Sequence, residues 1–148
     1  MEVRSSEAGI PVGVLVAPII PALNEPEIFA VLREAKNAGA HWAGLEILRL
    51  PLAVAPVFEQ WLEQQFPQKK ETVLNRLRAI RGGRLNDPRF GSRMRGEGIF
   101  AEQISRMFQV ALRRDGLPES GPELSIASFR RPGGNQLELE ISPPKGQI

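Results

Sequence analysis

The chain has 148 residues, enough for one ordinary domain but short of the roughly 250 residues of a complete enzyme barrel. It contains no cysteine and a single histidine, which excludes a disulfide framework, a thiolate metal site, a cysteine nucleophile and any site built on two imidazoles. The net charge of +2 conceals a segregation. Residues 1–75 carry six basic and nine acidic side chains, residues 76–114 ten arginines against three acids, and residues 115–148 three basic and five acidic.

The uncharged stretch Ile10 to Asn24 is broken by Pro11, Pro18 and Pro21, so no transmembrane span is predicted. The N-terminus lacks the basic start and apolar core of a secretory signal, and a cytoplasmic protein is expected. Val12 to Ala17 is a β-branched apolar run closed by Pro18, the pattern of a parallel strand buried on both faces. Asn24-Glu25-Pro26-Glu27 then reads as a helix start, with Asn24 as the cap. Ile28, Val31, Leu32 and Ala35 give the apolar face of a helix over residues 25–38, and Gly39 is placed to end it. Trp42 to Leu50, ended by Pro51, predicts a second strand. Strand, helix, strand with short connections is a βαβ unit with parallel strands.

Three helical stripes follow. Val54, Val57, Phe58, Trp61 and Leu62 form one, interrupted at Pro67; Val73, Leu74, Leu77 and Ile80 form another, ended by Gly82-Gly83. Phe100, Ile104, Met107, Phe108 and Ala111 form the third, with Gly116 and Pro118 as its stop. All three read as core faces. Leu124 to Phe129 and Gln136 to Ile141 read as a short hairpin around Pro132-Gly133-Gly134-Asn135. The organisation is then a βαβ unit over 1–51, a helical, arginine-rich extension over 52–117 and a tail over 118–148. Two parallel strands leave an unpaired edge each, so the sheet looks incomplete.

Candidate chemistry is sparse. No Ser/His/Asp triad or Walker loop is visible, and the glycine pairs read as turns. His41, in the helix-to-strand turn, reads as a surface residue. Glu46, in mid-strand, is expected to pair with an arginine of the basic segment. Arg76, Arg78, Arg81, Arg84, Arg89, Arg93 and Arg95 form a candidate nucleic-acid surface, set against the alternative that they are solvated or paired with acids of the first half.

Several blocks in order carry a family likeness: Ala8 through Asn24, Ala38-Gly39-Ala40, Leu48-Arg49-Leu50-Pro51, the run beginning Leu74-Asn75-Arg76, and Arg89 through Gly98. Over residues 7–117 they resemble the C-terminal half of radical SAM proteins of the bacterial branch related to spore photoproduct lyase, often labelled DNA repair photolyase-like. The resemblance implies an α/β fold, the last part of a partial (β/α)6 barrel. Its intact members bind a [4Fe-4S] cluster through C-x-x-x-C-x-x-C and reductively cleave S-adenosylmethionine to a 5′-deoxyadenosyl radical. It implies that residues 12–17 and 43–50 are the fifth and sixth strands and that Val16, Pro18, Leu48 and Leu50 wall the adenosine, with Arg49 as the polar contact. The first four strands and the cysteine motif would lie outside this chain, which reads as a truncated gene, split frame or excised fragment, inactive alone. The implied partner is the missing half-barrel, with self-association through a strand edge as a further possibility.

Overall fold

The computed structural model describes residues 8–51, 53–86, 95–123 and 125–127. Among them the chain is mixed α/β, with two parallel strands and four α-helices. Strand β1 (Gly13–Ile19) leads through a 3-10 turn (Glu25–Glu27) into helix α1 (Ile28–Asn37) and then strand β2 (Trp42–Ile47). Helices α2 (Ala55–Gln65), α3 (Lys70–Ile80) and α4 (Ile99–Asp115) follow. The expected hairpin lies outside the described residues apart from 125–127, which form no strand.

The strands pair from Gly13 with Trp42 to Ile19 with Ile47. The register slips between Val16 and Ile19, where β1 carries one residue more than β2. That irregularity lets β1 run through Pro18, because proline is tolerated at a bulge or on an edge strand. The sequence-based stop at residue 17 is thus two residues early. At the other end β2 stops at Ile47 and not at Leu50, because Leu48 and Leu50 turn away into a separate apolar cluster.

Among the described residues the sheet has one face covered by helices and one that is not. Val16, Ala43 and Ile47 pack under α1 and α4, against Ile28, Leu32, Ala35, Ile104, Phe108 and Ala111. On the opposite face Leu15 is 60% exposed. The expectation that β1 is buried on both faces is therefore corrected: no helix among the described residues covers its second side. Trp42 lies across that open face, so close to Gly13 that a Cβ there would stand 2.1 Å from the indole nitrogen. Glycine is required at that position by the close approach.

A second apolar cluster joins Leu50 to Leu62 of α2 and to Val73, Leu74 and Leu77 of α3. The α3 stripe is buried as its periodicity predicts, and α4 ends at Gly116 in the left-handed conformation. The α2 stripe is a correction. Of the stripe only Leu62 is buried and Phe58 is half-buried, while Val54, Val57 and Trp61 are exposed, because α2 packs mainly on α3 and the strand-end loops and is covered on one side among the described residues. Within the extension α4 packs in the core of the βαβ unit, while α2 lies in the second cluster.

Candidate functional site

In a parallel sheet the loops beyond the strand carboxyl ends are where ligands sit. Here those loops are held by a chain of polar contacts. The Asn24 carboxamide accepts from the Ile20 amide at 2.7 Å and donates to the Pro18 carbonyl at 3.2 Å. Asn24 is therefore a brace of the strand-end loop and not the helix cap the sequence suggested, since its side chain is already spent on that loop. Ala22 adopts φ of 68°, unusual for a residue with a Cβ, and Glu25 holds it there by accepting its amide at 2.5 Å. The same carboxylate oxygen meets Arg76 at 3.4 Å, and the Arg76 guanidinium stacks over Phe100 with 5.0 Å to the ring centre.

Arg81 is the second brace. It is 2% exposed and donates to the carbonyls of Ile47 at 2.9 Å and Leu48 at 3.0 Å, closing the carboxyl end of β2. This corrects its assignment to a nucleic-acid surface, because a guanidinium enclosed against backbone carbonyls has no face to offer a phosphate.

Of the remaining arginines of that set, two are engaged. Arg78 bonds Asn75 at 3.1 Å and Arg95 pairs with Glu119 at 3.3 Å. Arg84 is exposed, and Arg89 and Arg93 lie outside the described residues. Elsewhere in the basic segment Arg106 stands 3.9 Å from Glu102, and Arg114 forms a two-point pair with Asp115 at 2.6 and 3.0 Å. The Arg114 pairing holds the Asp115 carboxyl below the usual carboxylate range, with Arg33 adding a smaller push in the same direction against the opposing effect of burial. Solvent-exposed pairs of this kind contribute little each to stability.

The residues expected to wall the adenosine do not converge. Val16 is buried beneath α1 in the first core, and Leu50 is buried in the second cluster between α2 and α3. Both are enclosed by the chain's own side chains, which corrects their assignment as ligand contacts. Leu48 is half-buried in the second cluster, and Pro18 is exposed. Arg49 is half-buried and bonds Glu46 at 3.2 Å. Glu46 is thus paired as expected but with its neighbour three residues on, not with the basic segment, because it projects on the open face of β2. His41 is exposed in its turn, with its amide bonded to the Val12 carbonyl at 2.8 Å.

The donor set does not fit an iron–sulfur cluster on this chain, since no cysteine is present anywhere in it. Among the described residues no group of three histidines, acids or cysteines comes together around a common point. No helix of the described residues is long and apolar enough to cross a membrane.

Sequence reasoning missed the roles of Glu25, Arg81 and Trp42. Glu25 sits beside a proline in an evident helix start, so its reach backward to Ala22 was hidden by its reach forward. Trp42 was legible as a strand residue, and its partner glycines, Gly13 and Gly121, gave no signal because they lie 29 residues before it and 79 after. Comparison with known proteins finds no matching family model, no matching curated protein and no matching solved structure.

Proposed function

We propose that the chain supplies the closing βαβ unit of a radical SAM-type barrel whose cysteine-bearing half lies outside these 148 residues. One observation carries this reading. Among the described residues the parallel pair β1 and β2 is covered by helices on one face only, and on the other Leu15 is 60% exposed beside an edge of β1 that has no strand partner. Such an edge and such a face are completed by further strands. No chemistry of the cluster is assigned to residues of this chain. Its contribution is the braced strand ends at Asn24, Glu25 and Arg81, which fix where the last two strands stop.

The test is the coding sequence immediately upstream of Met1, with the polypeptide it encodes produced together with this chain. A C-x-x-x-C-x-x-C segment with further βα units, co-purification of the two pieces, and reductive cleavage of S-adenosylmethionine by the pair after anaerobic loading with iron and sulfide are the expected results. Leu15→Arg, on the open face, is expected to abolish co-purification while leaving the circular dichroism spectrum unchanged. A visible-absorbing cluster formed on this chain alone would refute the division of labour, and an upstream sequence with no cysteine motif would refute the parentage.

A further inference from the structure

Helix α4 is apolar on two sides. One row, including Ala101, Ile104, Phe108 and Ala111, is buried in the first core. The other faces solvent, with Ile99 74% exposed and Val110 50% exposed. With Met107 and with Phe29 of α1 they line an open, mainly apolar groove of about 550 Å³, flanked by Glu102 and Arg106. Placing Ile99 and Val110 in water is unfavourable, and at eleven residues apart they fall on one stripe of the helix. An exposed row of this kind on an otherwise charged helix marks an interaction surface.

The arrangement selects its partner. Ile99 and Val110 are equidistant from the midpoint between Ile104 and Ser105, so an antiparallel copy of α4 placed on a two-fold axis there sets each Ile99 against a Val110. The same axis brings Glu102 of one copy within one residue step, about 1.5 Å along the helix, of Arg106 of the other. A parallel arrangement would set Glu102 against Glu102 and Arg106 against Arg106. The stripe is self-complementary in both shape order and charge, which is the requirement for an isologous interface. We propose that this flank of α4 is a two-fold contact with a second copy of the chain. It does not depend on the reading of the open sheet.

A single helix pair buries less than the roughly 1,600 Å² of a standard interface, so a dissociation constant on the order of micromolar is expected. The absence of native cysteine makes a clean test. Within one copy, positions 99 and 110 are separated by about 16 Å along the helix, beyond the reach of a disulfide. Mild oxidation of Ile99→Cys/Val110→Cys is therefore expected to give a reducible covalent dimer, in at least about tenfold higher yield than either single substitution. In sedimentation runs Val110→Arg is expected to leave a folded monomer. Glu102→Arg should weaken the dimer, and adding Arg106→Glu to it should restore it. A chain that stays monomeric at about a hundred times the expected constant would overturn the proposal. So would a dimer that survives Val110→Arg and is lost instead with Leu15→Arg, since that association runs through the sheet.

Discussion

The first core joins elements distant in sequence, β1 and β2 from the first third of the chain with α4 from the last, whereas the second joins the strand-end loops to the neighbouring helices α2 and α3. The two meet on α3, which gives Val73, Leu74 and Leu77 to the second core and Ile80, one turn further on, to the first. The difference is one of closure. The sheet face of the βαβ unit is covered by its own α1 and by α4, so full cover depends on a contact made across most of the chain. The second core is smaller and rests on a two-helix layer whose outer side, at Val57 and Trp61, is open to water. A layer of this kind opens at lower free energy than the rest of the molecule.

Two substitutions would break this comparison most severely. Phe108→Ala, in the centre of the first core, is expected to destabilise the whole chain by about 3–5 kcal/mol, since it removes an almost fully enclosed aromatic ring. Chemical denaturation should report one shifted transition. Leu77→Ala removes a fully buried side chain from the second core and should lower its stability by about 2–5 kcal/mol. Its signature differs: amide hydrogen exchange should accelerate through Ala55–Gln65 and Lys70–Ile80 while protection in β2 and α1 is retained. Equal acceleration across both regions would show that the two cores unfold together.

The order of elements was legible because punctuation and periodicity agree: Pro67, Gly82-Gly83 and Gly116 each stand just past the end of a helix, and the α3 and α4 stripes recur at helical spacing. What the stripes could not convey is which apolar residues have a partner. Val57 and Trp61 are as hydrophobic as Leu74 and Leu77, yet only the latter are covered, because cover depends on how many neighbours a helix acquires and not on its own pattern. The strand ends were illegible for a related reason. Arg81 reads as one of many arginines in a basic segment, and its bonds to Ile47 and Leu48, more than thirty residues earlier, follow from the docking of α3 and from nothing local. The candidate site was therefore visible as a place, the ends of two parallel strands, but not as a set of side chains.

Arg81 is the fastening between the two regions, and its loss sharpens the contrast at intermediate magnitude. Arg81→Met keeps much of the buried volume but leaves the carbonyls of Ile47 and Leu48 without their donor, at an expected loss of about 1–3 kcal/mol. The expected trace is faster exchange in α2 and α3 together with a fraying carboxyl end of β2. An unchanged exchange profile would mean that the apolar contacts of Leu48 and Leu50 suffice to hold the regions together.

The smallest expected effect lies at the far end of the first core, where Arg114 ties α4 to α1. Its guanidinium donates to the Phe29 carbonyl at 2.7 Å, lies over the Phe29 ring and pairs with Asp115. Because the Asp115 carboxyl titrates lower in the folded chain than its ordinary value of 3.8, this pairing adds stability above that pH, and the contribution is lost as the pH falls through the depressed folded value. Asp115→Asn should therefore lower the melting temperature near neutral pH, by about 1–3 °C for a pair this close to solvent. The difference from the unsubstituted chain should shrink as the pH falls below the ordinary value of 3.8 and vanish once it is below the depressed folded value, where both carry a neutral side chain at this position. A gap that persists at low pH would assign the effect to the hydrogen-bond geometry at the helix end and not to the carboxylate charge.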